Sequence, residues 1–142
     1  KQITLILEEE GKSEKAINYL LNAYGDMESN IYRTFELANS LRNNKKYEKS
    51  IELYSSILLK IEKEHNLYPK ILDRRGIAYE RIKNWELAEK DLINSLKISP
   101  NDPYVMNYLA YSWIERGENI NKSLGMLRKA NNLKKNIAYK LD

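Results

Sequence analysis

The chain has 142 residues, of which 42% are hydrophobic and 31% are charged, so it is long enough to bury one sizeable core. It contains no cysteine, which excludes disulfides, thiolate chemistry and cysteine-based metal sites. The net charge of +4 comes from 24 basic and 20 acidic residues spread along the whole chain. Such a weak field does not predict a polyanion-binding patch.

Amphipathic periodicity predicts helices from one end of the chain to the other, and no stretch alternates with the strand period for long enough to compete. The predicted helices span residues 1–10, 13–25, 30–43, 47–66, 69–82, 85–98, 103–116 and 120–133. Asp102 before Pro103 is predicted to cap one helix, and Asn84 another. Three sites are predicted to end the first helix of a pair in the left-handed conformation, namely Gly11, Asn43-Asn44 and Gly117.

A 34-residue stretch from Pro69 to Asp102 recurs along the chain as a pattern of side-chain sizes. Small residues on the first helix of each pair form the column Thr4, Ala38, Gly76, Ala110, and those on the second form Ala16, Ser50, Ala88, Ser123. Large residues form the columns Leu7, Leu41, Tyr79, Trp113 and Leu20, Tyr54, Leu92, Leu127. The columns define repeats at about residues 1–30 (partial), 31–64, 69–102 and 103–137, with the start of a further repeat at 138–142. Because the chain opens at Lys1 inside a helical pattern, we interpret it as a piece of a longer protein.

Four extra residues, His65 to Tyr68, separate the second repeat from the third. Four residues are close to one helical turn, so an insertion of this length can extend a helix without rotating its apolar face. We therefore predict one long helix over residues 47–66.

Within the 34-residue unit, one set of residues carries a resemblance to a known repeat: Leu72, Gly76, Tyr79, Ala88 and Pro100. In order and spacing they resemble the signature of the tetratricopeptide repeat (TPR), from which Arg75 and Leu92 depart. The resemblance covers essentially the whole chain and implies an all-α fold, a right-handed superhelical solenoid of antiparallel helix pairs. It also implies one TPR-like domain over residues 1–142, because neighbouring pairs share a continuous core.

The resemblance further implies that the first helix of each pair lines a concave groove. The residues so placed include Lys1, Leu5, Glu8, Lys70, Arg81 and Glu115, and the candidate partner-binding residues are Tyr32, Phe35, Asn39, Arg42, Asp73, Ile77, Tyr104, Asn107 and Tyr111. Aromatic side chains could supply rigid contact area, and asparagines could hydrogen-bond a peptide backbone. The alternative is that exposed Tyr and Asn merely reflect a biased composition. Trp85, Trp113, Tyr54 and Tyr79 stand in packing columns and are predicted to be core.

These observations predict a non-enzymatic protein-interaction scaffold that binds a peptide or helix of a partner protein in the groove. The alternative is a self-association module whose copies stack end to end through repeat faces. The only histidine, His65, has no partner at a metal-binding or nucleophile spacing and is predicted to be a solvated linker residue. Glu8-Glu9-Glu10 is interpreted as a solvated charge run. No catalytic residue, metal or cofactor is therefore predicted.

Other kinds of ligand are disfavoured by the acidic residues on the inner wall. Asp73 occupies a position where a clamp for a C-terminal carboxylate would need a cation, so no such clamp is predicted. Asp73, Glu8 and Glu115 also argue against nucleic acid as a partner. No apolar run reaches the roughly 20 residues of a membrane span. Residues 104–130 resemble the later repeats of bacterial proteins with an export signal or lipid anchor, which favours the cell envelope or periplasm over the cytoplasm.

Overall fold

A computed structural model of the chain describes the backbone of residues 27–141 and the side chains of residues 27–136. The predicted helices over 1–10 and 13–25 lie outside the described residues. So do the groove candidates Lys1, Leu5 and Glu8 and the first members of all four packing columns. The predictions for Gly11 and for the charge run at Glu8-Glu9-Glu10 lie outside them as well.

The described part of the chain is helical, with six helices and no strand between residues 27 and 141. The helices are α1 Met27–Asn43, α2 Tyr47–Leu58, α3 Tyr68–Arg81, α4 Trp85–Ile98, α5 Pro103–Glu115 and α6 Ile120–Leu141. They confirm the all-α prediction and, apart from the ends of α2 and α6, the predicted helix positions.

The chain forms two compact units that meet in sequence between His65 and Asn66, inside the four-residue insertion. In the first unit α1 packs on α2. In the second unit α3 packs on α4, α5 packs on α6, and α5 also contacts both α3 and α4. Each unit is thus built from helix pairs. The repeat boundaries and the single domain over residues 1–142 stay predictions.

The columns of small residues mark the places where paired helices approach most closely. Ala38, Ala110, Ser50 and Ser123 are fully buried. At Gly76 on α3, a Cβ would lie 3.1 Å from Leu92 Cγ and 3.2 Å from the Ala88 carbonyl oxygen, both on α4. Any side chain at this position would push α3 away from α4, because contacts this short are tighter than ordinary van der Waals packing.

The large columns supply the core. In the second unit, α4 and α5 contribute a cluster of buried residues, Leu92, Val105, Leu109 and Trp113. Tyr54 is fully buried in the first unit. The core prediction is therefore confirmed for Trp113 and Tyr54.

The core prediction was wrong for Trp85 and Tyr79, which are only half-buried. Each ring instead supports an arginine. The guanidinium carbon of Arg116 lies 5.3 Å from the Trp85 ring centroid, and that of Arg75 lies 5.7 Å from the Tyr79 ring centroid. These are cation–π distances, so the two rings stand at the edge of the core with a charged side chain over one face.

The first helix of each described pair ends in the same backbone conformation. Lys45, Lys83 and Gly117 have φ of 65°, 65° and 68°. The residue after each donates its N–H to a carbonyl five residues earlier: Lys46 to Leu41 at 2.8 Å, Asn84 to Tyr79 at 2.9 Å and Glu118 to Trp113 at 2.8 Å. This is the Schellman ending. The prediction for Gly117 is confirmed, whereas in the second repeat the left-handed residue is Lys45, and the prediction for Asn43-Asn44 was wrong.

The predicted extension of α2 to residue 66 was also wrong, because the helix ends at Leu58 and residues 59–67 form turns. Leu59 is 89% exposed, and Lys60 donates its N–H to the Ile57 carbonyl at 2.8 Å to close the helix. The next positions on the buried stripe are Lys60, Ile61 and Glu64. Since two of these three are charged and exposed, another turn of helix would bury too little apolar surface to hold it.

Helix α6 is longer than predicted, since it continues to Leu141 instead of ending near residue 133. The sequence from Asn131 to Leu141 contains no glycine or proline to stop a helix. Leu133, Ile137 and Leu141 follow one another at a spacing of four residues, which continues an apolar stripe. That residues 138–142 begin a further repeat stays a prediction.

A cleft between the first helices of two pairs

The second unit has a cleft of about 240 Å³ between the end of α3 and one face of α5. Six of its lining residues lie on α5 and two on α3: Tyr104, Asn107, Tyr108, Tyr111, Ser112 and Glu115, with Glu80 and Arg81. The α5 residues follow a spacing of three or four along more than three turns, which is one continuous face of a helix. The cleft therefore runs along α5.

The sequence of α5 explains why this face is turned toward the cleft. Asp102 caps the helix, accepting hydrogen bonds from the N–H groups of Tyr104 at 3.0 Å and Val105 at 3.2 Å. The apolar stripe Val105, Leu109 and Trp113 packs against Leu92 in the core. Because that stripe fixes the rotation of the helix, the tyrosines and Asn107 on the remaining face line the cleft.

One wall of the cleft is closed by a hydrogen bond between α5 and α3. Tyr108 Oη donates to Glu80 Oε2 at 3.4 Å, and Arg81 Nε lies 3.9 Å from the same carboxylate oxygen. Burial of the phenol, and next the negative charge of Glu80, raise the pKa of Tyr108 to about 12. At neutral pH the hydroxyl therefore keeps its proton and acts as a donor toward Glu80.

The side-chain oxygen of Asn107 is the unsatisfied group of the cleft. Asn107 Oδ1 is shielded from water and accepts no hydrogen bond within residues 27–136. A buried acceptor without a donor is unfavourable by about 1–3 kcal/mol. A ligand that brings an N–H to this atom would remove that penalty, and because water does not reach Oδ1, the amide has to turn toward the cleft for the ligand to do so.

Two aromatic side chains stand open at the rim of the cleft. Tyr104 is 71% exposed and Tyr111 is 57% exposed. The ammonium nitrogen of Lys134, on α6, lies 4.9 Å from the centroid of the Tyr104 ring. Exposed tyrosines beside a cleft are typical of binding surfaces, because a rigid ring offers a large contact area at a small entropic cost.

The structure brings together some of the sequence-predicted groove residues. Tyr104, Asn107 and Tyr111 line the cleft, as do Arg81 and Glu115. Ile77 and Asp73 lie one and two turns earlier on α3 and do not line it. Asp73 is buried, with Arg74 Nη1 only 3.0 Å from its Oδ1, so this groove candidate does not present its carboxylate to solvent.

Three groove candidates of the first unit contact Tyr54 on the second helix of their own pair. Tyr54 Oη donates to Asn39 Oδ1 at 2.5 Å and accepts from Arg42 Nη1 at 3.4 Å. The Phe35 ring centroid lies 6.3 Å from that of Tyr54. Phe35, Asn39 and Arg42 therefore all contact the second helix of their own pair, and their predicted part in binding a partner stays a prediction.

Tyr32, the remaining candidate on α1, is 41% exposed, and its ring centroid lies 6.0 Å from that of His65. His65 is half-buried, and its Nε2 lies 2.6 Å from Glu28 Oε1. The prediction that His65 is a solvated linker residue was therefore wrong. The turns after α2 return the imidazole to the beginning of α1.

Three cleft residues were missed by the sequence reasoning: Glu80, Tyr108 and Ser112. Tyr108 and Ser112 follow Tyr104 at spacings of four and eight, so a second row along the same helix face would have included them. Glu80 is adjacent to Arg81. Its place in the site depends on the contact between α3 and α5, which no local pattern encodes.

The part of the chain that the structure describes contains neither a metal-binding cluster nor a membrane-spanning helix. No group of three or more His, Asp or Glu side chains there could hold a metal ion. None of the helices α1–α6 is both long enough and apolar enough to cross a membrane.

Paired antiparallel helices, each first helix ended by a left-handed residue and packed closely on its second helix, form a TPR-like helical-repeat fold. Solved structures with this fold are similar to the chain. MamA MSR-1 superposes with a TM-score of 0.67 at 20% identity, over 94% of this chain and 74% of that one. A further crystal structure of MamA gives 0.70 at 11% identity, over 97% and 78%.

A Podosopora anserina putative kinesin light chain with nearly identical TPR-like repeats gives a TM-score of 0.67 at 15% identity, over 95% of this chain and 73% of that one. At these identities the likeness shows the fold alone. No protein-family model matches the sequence, and no curated protein sequence matches it.

Proposed function

We propose that the chain is a non-catalytic protein-interaction module that binds a segment of a partner protein in the cleft between α3 and α5. The observation that carries this proposal is the buried Asn107 Oδ1, an acceptor without a donor, between the exposed rings of Tyr104 and Tyr111. A TPR-like fold supports it, since such repeats present an extended face on their first helices.

The dimensions and chemistry of the cleft suit a short length of polypeptide. From Tyr104 to Glu115 the α5 face spans roughly 16 Å, at 1.5 Å per helical residue. An extended peptide covers that distance in about five residues. Its backbone N–H groups are donors of the kind that Asn107 Oδ1 needs, and its side chains could contact the two tyrosine rings.

The lining also favours binding over catalysis. It contains no histidine, cysteine or lysine, so neither Ser112 nor the two glutamates, Glu80 and Glu115, has one of these as a catalytic partner in the lining. Its aromatic and amide side chains serve contact and hydrogen bonding. We therefore propose no reaction for this site.

The test is an unbiased selection of peptides on the immobilised chain from a phage-displayed random library, followed by affinity measurements on synthetic peptides. We expect peptides whose binding is lost when Asn107 and Tyr111 are both replaced by alanine. Asn132→Ala is a matched control, since Asn132 is exposed on α6 and does not line the cleft. If every selected peptide binds the double variant as tightly as the control variant, the cleft is not the binding site.

A second candidate function, self-association, is favoured by a different observation. Ile120 and Leu124, one turn apart on α6, are 42% and 43% exposed. Apolar side chains in adjacent positions on a helix could pack against a second copy of the chain. Light scattering over a range of concentrations, on the wild type and on Ile120→Ser with Leu124→Ser, tests this alternative, which predicts an oligomer that the double variant does not form.

A further inference from the structure

We propose that the cleft between α3 and α5 holds a cationic side chain, a lysine or arginine of the partner segment. This inference rests on the proposed peptide-binding function and adds the chemistry of the residue that is recognised. It follows from the charges, the hydrogen-bonding groups and the aromatic faces of the cleft.

The charges of the lining favour a cation. The lining has two carboxylates, Glu80 and Glu115, and one guanidinium, Arg81. The Arg81 side chain is 53% exposed and its Nε lies 3.9 Å from Glu80 Oε2, so the contact is long and partly screened by solvent. The Glu80 side chain is only 13% exposed, and Glu115 makes no ion pair with the side chains of residues 27–136. Among the lining residues a bound cation would therefore meet a net negative charge, with Lys134 lying over Tyr104 at the rim.

The hydrogen-bonding groups of the cleft point the same way. Asn107 Oδ1 is an acceptor without a donor, and the carboxylates of Glu80 and Glu115 are acceptors only. Tyr108 directs its own proton to Glu80. A lysine ammonium has three N–H donors and an arginine guanidinium has five, and neither has an acceptor. A carboxylate of a ligand would instead face these three acceptors, and the charged donors near it would be Arg81 in the lining and Lys134 at the rim.

The tyrosines complete the complementarity. A cation placed over a tyrosine ring within about 6 Å of its centroid is attracted to the negative face of the ring. Lys134 shows this arrangement at the rim, 4.9 Å from the centroid of Tyr104. The ring of Tyr111, 57% exposed one helical turn from Asn107, offers a similar face to a cation from outside the chain.

The experiment uses the peptides that depend on Asn107 and Tyr111 in the selection described above. Each peptide is synthesised with its lysines and arginines, and again with each in turn replaced by glutamine. Affinities are measured by fluorescence anisotropy for the wild type, for Glu115→Gln and for the matched control Glu86→Gln. Glu86 is exposed on α4 and does not line the cleft. Thermal unfolding of both variants verifies that each is folded.

We expect one cationic position whose replacement by glutamine weakens binding to the wild type about tenfold. We also expect Glu115→Gln to weaken binding of the parent peptide several-fold and to reduce the effect of the peptide substitution. Glu86→Gln should change neither the affinity of the parent peptide nor the effect of the substitution. The affinity of the parent peptide should fall as salt rises.

Two results would overturn the inference, and they differ in what they say about the proposed function. Cleft-dependent peptides that carry no cation, or that bind Glu115→Gln more tightly than the wild type, would leave a peptide-binding cleft with a different preference. The absence of any peptide that depends on Asn107 and Tyr111 would overturn both the inference and the proposed function.

Discussion

Two asparagines on first helices, one in each unit, meet opposite surroundings. Asn39 on α1 accepts a hydrogen bond from Tyr54 on α2, whereas Asn107 on α5 has a buried oxygen that accepts none within the described residues. The two asparagines do not stand at equivalent repeat positions, since Asn39 follows Ala38 by one residue and Asn107 precedes Ala110 by three. Asn39 lies within reach of the Tyr54 hydroxyl on the helix that packs against its own. Whether a groove residue is available to a ligand therefore depends on its place along the first helix and on the side chains of the helix that packs against it.

The second unit also has a closed polar pair, on the side of α3 that faces α4. Arg75 donates from Nε to Asp91 Oδ2 at 2.7 Å and from Nη2 to Asp91 Oδ1 at 2.8 Å. We call such a hydrogen-bonded pair closed, and we call a polar group without a hydrogen-bond partner, such as Asn107 Oδ1, open. The two kinds of group should respond differently to substitution. Loss of a partner from a closed pair should reduce stability, whereas loss of an open group should reduce binding.

The largest effect should come from breaking the closed pair of the second unit. Burial raises the pKa of the Asp91 carboxyl, and the two hydrogen bonds from Arg75 act in the opposite direction. Asp91→Ala removes both of those hydrogen bonds and the opposite charge from the half-buried guanidinium, so we expect a loss of about 3 kcal/mol in the free energy of unfolding. Urea unfolding followed by tryptophan fluorescence measures it, because both tryptophans, Trp85 and Trp113, lie in this unit.

The control for Asp91→Ala is the double variant Arg75→Leu with Asp91→Leu. It removes both charges and places apolar groups between α3 and α4, so it should recover most of the stability. A single variant within 1 kcal/mol of the wild type would contradict the assignment of a closed pair.

The next largest loss of stability should come from breaking the hydrogen bond between Tyr54 and Asn39 in the first unit. Tyr54→Phe keeps the buried ring and removes the hydroxyl, which leaves Asn39 Oδ1 without its donor and should destabilise α1–α2 by about 1–2 kcal/mol. Hydrogen exchange of the α1 and α2 amides measures the loss. Tyr47→Phe is the matched control at a half-buried ring for which the structure shows no side-chain hydrogen bond. Equal protection in the two variants would show that the Tyr54 hydroxyl contributes nothing.

The sequence predicts the helix pairs well and the site only in part, for one physical reason. Close packing repeats with the chain, so the burial of Ala38, Gly76 and Ala110 could be predicted from the spacing of small residues. Polar partners do not repeat. The bond from Tyr54 to Asn39 and the contact of Glu80 with Tyr108 join residues 15 and 28 positions apart, and neither repeats in every pair. The end of α2 was mispredicted because a length of one turn permits an extension but does not supply apolar residues to bury.

A smaller effect on stability should appear at high pH, and it should come from Tyr108, which donates a hydrogen bond to Glu80 in the cleft. Its pKa is raised from 10.0 to about 12, so between these values the unfolded chain releases a proton that the folded chain retains. Stability is therefore unaffected below pH 10 and falls as pH rises toward 12. Allowing for the water that reaches the ring, we expect a fall of about 1 kcal/mol that is absent in Tyr108→Phe. Urea unfolding of both proteins across this pH range measures it, and parallel curves would contradict the raised pKa.

A backbone change should raise stability without altering either kind of polar group. Lys83 ends α3 with φ of 65°, a conformation that glycine adopts more readily than lysine. Lys83→Gly should therefore stabilise the second unit by about 0.5–1 kcal/mol and leave peptide affinity unchanged. Lys83→Ala, which removes the same side chain but retains Cβ, is the control and should give no gain. Thermal unfolding separates the two variants, and an equal gain in both would attribute the effect to charge instead of backbone conformation.

The smallest effect on stability should come from the open group itself. Asn107→Ala removes an acceptor that has no donor, so the free energy of unfolding should change by less than about 0.5 kcal/mol, or rise. Asn39→Ala, the same substitution at an asparagine that does accept a hydrogen bond, takes away the acceptor of the Tyr54 hydroxyl and should destabilise α1–α2 by about 1 kcal/mol. Urea unfolding by tryptophan fluorescence reports on Asn107→Ala, and hydrogen exchange of α1 and α2 reports on Asn39→Ala. If Asn107→Ala destabilises its unit as much as Asn39→Ala destabilises the other, Asn107 is part of the packing and the cleft loses its open acceptor. If Asn107→Ala leaves stability intact while peptide affinity falls, the asparagine serves binding instead of folding.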